Sequence, residues 1–405
     1  MDGEAIIEQL MTTEVRADPY PLYARAHELG PVVPAGDGMF VVSGYAAVNR
    51  VLRTPAFGVA TADMTAGVAP EFAGHSSLAL FGRSILQRNA PDQPRVRSLI
   101  ASVFTARRVA ALRPAVAAAV ARLLDELAER GADGSPVDFM DAFAFRLPVG
   151  VICELLGVPE RDRYRFRDLA ADLTVALEII QDLDDLDAAD RAADELTGYF
   201  VELVAERLAR PQDDLVSDLA RIAVADGERL SGPELLANLV LLLVAGFETT
   251  TNLLGNGLAL LFRHPGAAAE LRGGAVTPAG FTDEVLRFDS PVQATARVAL
   301  DEGLAVEGLP VPSGSGLTLL LGAANHDPAR YDRPGVFDPH RTDSQPLSFG
   351  GGQHFCLGYQ LARLEGEVAV SALLDRFPRL APGGVPTRRD RLVLRGYETL
   401  PVTVR

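Results

Sequence analysis

Residues 231–263 constrain the fold more than any other part of this 405-residue chain. Ser231-Gly232-Pro233-Glu234 reads as a helix start. The serine can cap, the proline suits the first turn, and the glutamate three residues later can reach back to the serine amide. The helical pattern then runs to Arg263, ahead of His264-Pro265, which predicts a rod of about 45 Å, long enough to cross a whole domain. The apolar run 235–247 is too short for a bilayer and contains Asn238, so it predicts a helix through the protein core. Elsewhere, residues 105–130 and 188–209 repeat apolar positions at three- and four-residue spacing, as helices covering a core do. Strand signals are short: 32–42 and 392–404 read as hairpins, and a third lies near 304–321. With no repeat and no long linker, the expectation is one mainly α domain with small β-sheets over residues 1–405.

Charge and cysteine usage exclude several functions. A net charge of -16 and a pI near 4.9 oppose attraction to nucleic acid or anionic lipid. Hydrophobic residues at 48% with mean hydropathy +0.13 suffice for a large core. Two cysteines, Cys153 and Cys356, and six histidines cannot build a disulfide framework or a structural zinc site. Residues 1–15 have no basic segment, and glutamates interrupt their apolar residues, so neither a signal peptide nor a membrane anchor is expected and the location reads as cytoplasmic. The run 182–195, with six aspartates and one glutamate, lacks the glycine of a calcium loop and reads as a solvated loop and helix start.

The long helix contains an anomaly. Directly after its apolar run stand Ala245-Gly246-Phe247-Glu248-Thr249-Thr250-Thr251, a carboxylate and hydroxyls where leucines should continue. One reading is a kink with threonine hydroxyls bonding back to carbonyls one turn earlier. The other is that small residues admit a bulky group while Glu248 and Thr249 handle protons. Further on, Phe349-Gly350-Gly351-Gly352-Gln353-His354-Phe355-Cys356-Leu357-Gly358 puts a cysteine after a glycine-rich turn and before a helix whose apolar face includes Leu357, Leu361, Leu364 and Val368. Helix-end amides stabilise a thiolate there, the glycines let the backbone wrap a flat ligand, and Phe349 can cover the sulfur. Cys153, on the apolar face 151–156, reads as structural.

Phe349, Gly352, His354, Cys356 and Gly358, followed by Leu361-Ala362-Arg363, resemble the haem-binding signature of cytochrome P450 enzymes. The long helix is similar to that family's oxygen-binding helix, Glu284-Val285-Leu286-Arg287 to its Glu-x-x-Arg motif, and 337–341 to the segment that brings a second arginine, here Arg341. The resemblance implies the cytochrome P450 fold, with haem b between the long central helix and the cysteine loop, and it makes Cys356 the iron ligand. It places Ala245 and Gly246 beside the haem, Glu248 and Thr249 as acid and alcohol for proton delivery, and Arg97, Arg297 and His354 on the propionates. Many relatives have a histidine four residues before the arginine matching Arg97; here that position is Gln93, so altered haem contacts are expected. Glu284, Arg287 and Arg341 are then structural.

The implied activity is a monooxygenase that hydroxylates or epoxidises a hydrophobic small molecule with O2. Its electrons would come from NAD(P)H through a ferredoxin reductase and a ferredoxin, and it would work as a monomer. Arg95, Arg107, Arg108 and Arg113 are expected to offer the ferredoxin a basic docking face. The substrate pocket is expected under 57–88 and 165–187, at Leu241, Val244, Ala245, Val292 and Ala294, with the turn 396–400 closing it. These positions are apolar and small, which suits binding by shape. The style resembles members that tailor polyketides and macrolides; terpenoid, steroid, fatty acid and carrier-protein-bound substrates stay open, as does a non-catalytic P450-like partner or a gas or redox sensor.

Overall fold

The computed structural model describes residues 2–179, 182–226 and 229–404. Its longest element is the 32-residue helix Gly232–Arg263. The predicted start is built in full: the Ser231 amide and hydroxyl each donate to Glu234 Oε2 at 2.9 Å, and the Glu234 amide donates to Ser231 Oγ at 3.4 Å, a reciprocal capping box. By length and composition the helix could cross a membrane, but 72% of its most apolar window is buried inside the protein. Asn238 is buried with both ends of its amide used, Nδ2 donating to the Glu234 carbonyl at 2.7 Å and Oδ1 accepting from the Ile85 amide at 3.0 Å.

The chain divides into two compact units built from separated segments, and the division falls within the long helix. The first unit comprises Met1–Gly58, Val120–Ala144 and Thr249–Arg405. It holds the strands β1 (Val32–Pro34), β2 (Met39–Val42), β3 (Phe57–Gly58), β4 (Val137–Asp138), β5 (Ala294–Ala299), β6 (Leu304–Val306), β7 (Leu309–Val311), β8 (Gly316–Leu320), β9 (Ala381–Pro382), β10 (Thr387–Arg388), β11 (Tyr397–Thr399) and β12 (Pro401–Thr403). The main sheet runs β1-β2-β8-β5-β3, with β2 and β8 parallel and the other neighbours antiparallel. Alternation along β2 sends Phe40 and Val42 to one core cluster, with Val48, Val51 and Leu319, and Val41 to another, with Ile6, Leu10 and Tyr23. Both faces of this sheet are therefore buried.

Two of the three strand expectations hold. Residues 32–42 form the β1–β2 hairpin, and near 304–321 β6 pairs with β7 while β8 joins the main sheet. Residues 392–404 make no hairpin. Only Leu400 separates β11 from β12, fewer than the two residues a tight hairpin needs. Instead β11 pairs with β10, and β12 lies between β4 and β9. The cysteine-side helix Tyr359–Arg376 also differs from expectation: Leu361 and Leu364 are buried, but Val368 is half-exposed and the carboxyl of Glu365 is enclosed in its place.

The second unit comprises Val59–Ala119 and Phe145–Glu248 and is helical among the described residues. Thr105 caps Ala106–Ala111, its Oγ1 accepting from the Arg108 amide at 3.2 Å, and the expected 105–130 helix restarts as Arg113–Arg130. The acidic run is not wholly solvated. Asp190, on Leu186–Ala209, accepts from the Ser77 amide at 2.8 Å and hydroxyl at 2.6 Å and bonds His75 Nδ1 at 2.8 Å. The helix Ser76–Arg83 has no side-chain cap from its own N-cap residue and takes this carboxylate instead. Burial alone would raise the Asp190 carboxyl, but these hydrogen bonds outweigh it and hold it below the usual range.

Candidate active site

In the first unit the cysteine loop is shaped by its glycines. Gly350 and Gly352 have φ of +67° and +63°, and a side chain on Gly352 would drive into the Leu52 carbonyl at the end of the helix Tyr45–Arg53. The Cys356 amide donates to the Phe349 carbonyl at 3.0 Å, and the Phe355 amide to the Gly352 carbonyl at 3.1 Å. Phe349 packs edge-on against Tyr359, centroids 6.1 Å apart, at the first residue of the helix capped by Gly358. Cys356 is thus a half-buried thiol just ahead of a helix N-terminus, with His354 half-buried in the same loop. Cys153 is buried, and burial pushes its thiol up to about 12, which keeps it neutral.

Arg297 lies on β5 and is 5% exposed. Its Nη1 donates to the Ala296 carbonyl at 2.7 Å and to Thr295 Oγ1 at 3.3 Å. No carboxylate lies within ion-pair distance of it among the described residues, and burial pushes the guanidinium down to about 10. Glu284, Arg287 and Arg341 come together as expected: Arg287 Nε and Nη2 donate to the two Glu284 oxygens at 2.8 and 2.7 Å, and Arg341 Nε lies 3.6 Å from Glu284 Oε1.

The long helix carries a stripe that its burial alone reveals. Ala245 is exposed, and Leu242, Gly246 and Thr249 are half-exposed, while Leu243, Val244, Phe247 and Glu248 around them are buried. Positions 242, 245, 246 and 249 are i, i+3, i+4 and i+7, one face of the helix. Gly246 also serves packing, because a Cβ there would come 2.7 Å from Ile152 on the helix Arg146–Leu156. Of the candidate pocket residues, Ala245 is exposed and Val292 half-exposed, whereas Leu241, Val244 and Ala294 are buried. Leu242 escaped the sequence reading, although its spacing from Ala245 and Thr249 could have found it; Thr295, which holds Arg297, carried no local signal.

In the second unit Gln93 and Arg97 lie one turn apart on the helix Asp92–Val103, Gln93 buried and Arg97 half-buried. Val59 and Asn89 close the candidate segment 57–88 by two hydrogen bonds of 2.9 Å; residues 180 and 181 of the other segment, 165–187, lie outside the described residues. The basic cluster is thinner than expected. Arg95 is engaged with Glu234 at 2.6 Å and Asp92 at 2.9 Å, and Arg108 with Asp218 at 2.9 Å and Asp213 at 3.3 Å, while Arg107 and Arg113 are exposed.

The sequence profile of the family described as Cytochrome P450 matches residues 27–274 and 280–398. The chain belongs to the cytochrome P450 family. This P450 is 37% identical to cytochrome P450 monooxygenase PikC of Streptomyces venezuelae, over 95% of this chain and 91% of that protein. It is 36% identical to 6-deoxyerythronolide B hydroxylase of Saccharopolyspora erythraea, over 98% of each. Among solved structures, P450BioI in complex with hexadec-9Z-enoic acid ligated acyl carrier protein superposes with a TM-score of 0.88 at 32% identity, over 97% of this chain and 100% of that one. The chain is therefore a P450 monooxygenase, and the family works with haem-thiolate iron and O2. Its residues fit that group. Arg297 is a buried cation that the described residues leave without a carboxylate, Cys356 stands at a helix N-terminus in a glycine-shaped loop, and Ala245 opens a small-residue face on a buried helix.

Proposed function

We propose that this P450 hydroxylates or epoxidises a hydrophobic small molecule of the polyketide or macrolide class, as a single-domain cytoplasmic monomer supplied with electrons by a ferredoxin and an NAD(P)H-dependent reductase. The observation that carries the reading is the stripe of Ala245, Gly246 and Thr249: a small, apolar, accessible face ending in an alcohol, next to the buried carboxylate of Glu248. Likeness to 6-deoxyerythronolide B hydroxylase over 98% of both chains supports the substrate class.

In this reading Cys356 holds haem iron through its thiolate, and the helix-end amides beyond Gly358 stabilise that charge. Phe349 shields the sulfur, and Gly352 lets the loop approach the ring. Arg97, Arg297 and His354 bind the propionates, with Gln93 donating one hydrogen bond where relatives use histidine; arginine suits this because its fork pairs two carboxylate oxygens. Bound there, the haem supplies O2 activation and insertion of one oxygen atom into a C–H or C=C bond. Thr249 Oγ1 orients a proton donor on that side, and Glu248 delivers protons through its carboxyl oxygens. Leu242, Ala245 and Val292, the accessible positions, meet the substrate by shape with no fixed charge among them, while Leu241, Val244 and Ala294 are buried. Arg107 and Arg113, both exposed, carry the attraction for an acidic ferredoxin.

A second reading, a fatty-acyl substrate on a carrier protein, is favoured by the superposition on P450BioI. Optical titration of the purified ferric protein separates the two. Saturable movement of the Soret band from low to high spin with macrolactones supports the first, and with acyl carrier protein thioesters alone the second. Cys356→Ser should lose both the thiolate-haem spectrum and oxygenation; retention of both would sink the assignment. Thr249→Ala should divert a large share of NADPH electrons to peroxide, and full coupling in that variant would remove Thr249 from proton delivery.

A further inference from the structure

Three glycines on the long helix differ in what they are for. A Cβ at Gly246 would come 2.7 Å from Ile152, and one at Gly255 would come 2.7 Å from Met140 Sδ, so a side chain at either would have to displace its neighbour. The nearest atoms that a Cβ at Gly257 would meet belong to Phe281 and Val285, 3.7 to 3.8 Å away, an ordinary contact distance. Glycine in a helix interior costs about 1 kcal/mol relative to alanine. No turn and no close approach requires it here.

The space beside Gly257 belongs to a cavity of about 30 Å³ within the first unit. Its walls come from Leu253 and Gly257 on the long helix, Phe281 and Val285 on Pro278–Phe288, Val370 on Tyr359–Arg376, and further apolar residues, all of them buried. The only hydroxyl among them, on Thr282, donates to the Pro278 carbonyl at 2.8 Å.

Size and chemistry together select an occupant. One water needs roughly 10–15 Å³ of such volume and two to four polar partners. The cavity has room for about two such spheres, and its walls are apolar with their one hydroxyl already engaged. Drug-sized ligands need about 300–1,000 Å³ and cannot enter. A diatomic gas satisfies both limits. Leu253 stands one turn beyond Thr249 on the same helix. We propose that this cavity is a docking site for a small apolar gas, with dioxygen, the co-substrate of a P450 monooxygenase, as its natural occupant. The site does not depend on which organic substrate the enzyme takes.

Xenon is a suitable probe because it is apolar, small and electron-dense. Crystals of the haem-loaded enzyme pressurised with xenon should show a peak among Leu253, Val285 and Val370. Gly257→Ala should lower the occupancy of that peak at least fivefold and leave xenon sites elsewhere unchanged. In methyl-labelled wild-type protein, dissolved dioxygen should enhance relaxation of the Leu253 and Val370 methyls several-fold more than that of Leu127, which is buried but does not line the cavity. Ordered water in the cavity, an empty cavity while other apolar sites fill with xenon, or equal relaxation at Leu127 would each overturn the proposal. The wild-type measurements stand whether or not Gly257→Ala folds.

Discussion

Arg287 and Arg297 are buried arginines of the same unit, 0% and 5% exposed and ten residues apart in sequence, yet their charges are met in opposite ways. Arg287 has a bidentate bond to Glu284 and donates to the carbonyls of Asn325, Pro334 and Val336 at 2.9 to 3.0 Å. Glu284 in turn accepts from the Asp338 amide at 2.8 Å and faces Arg341. Arg297 has one hydroxyl and one carbonyl. A buried charge needs pairing and full hydrogen bonding. The chain completes the first site from its own residues and gives the second no carboxylate among the described residues. The first belongs to the fold; in the proposed function a haem propionate completes the second.

The largest effect should come from breaking the self-sufficient site. Glu284→Gln leaves Arg287 and Arg341 without their carboxylate and should cost about 3–5 kcal/mol in denaturant unfolding; a loss below about 1 kcal/mol would show that the carbonyls suffice. Arg297→Leu should split the two states of the protein. The apoprotein should be no less stable than wild type, while haem loss to a scavenging acceptor should accelerate about ten- to hundredfold, equivalent to about 1.5–3 kcal/mol. A destabilised apoprotein with unchanged haem loss would reverse the assignment.

Glu365 sharpens the contrast from the acidic side. It is buried, neither carboxyl oxygen has a hydrogen-bond partner among the described residues, and burial raises its carboxyl well above the usual range. Above about pH 4.3 the unfolded chain ionises this group while the folded protein keeps it protonated. Stability should then fall with rising pH, by up to about 1.4 kcal/mol per unit, until the raised folded value is reached. Glu365→Gln should remove that slope, which thermal unfolding across a pH series would read; an unchanged slope would mean that Glu365 is ionised and paired in the fold. The smallest effect belongs to an exposed pair such as Arg122 and Glu126, 2.8 Å apart at 50% and 32% exposure, where Arg122→Ala should change stability by less than about 0.5 kcal/mol.

Local chemistry was legible wherever neighbouring residues complete it. The capping box at Ser231 needs four consecutive residues, and the Glu284–Arg287 pair needs one helical turn. The same holds for the cysteine loop, whose positive-φ glycines are spaced along a single turn. Patterns that depend on distant partners were not legible. The 392–404 segment has two apolar runs around Gly396-Tyr397-Glu398, as a hairpin would, but β10, β4 and β9 pair with its two strands. Asp190 looked solvated because Ser77, which it caps, lies 113 positions away. Arg95 and Arg108 looked available for a partner because Glu234 and Asp218 lie on other helices.

The amino-acid sequence by itself determined the long core helix, the thiol at a helix N-terminus and the family, because each rests on residue types at short, fixed separations. Only the tertiary structure decided which face of that helix is open at Ala245 and Thr249, that Arg297 has no carboxylate, and that Gly257 borders a cavity whereas Gly246 and Gly255 meet side chains. Burial and charge compensation are properties of neighbours in space, and these neighbours come from segments tens to hundreds of residues apart.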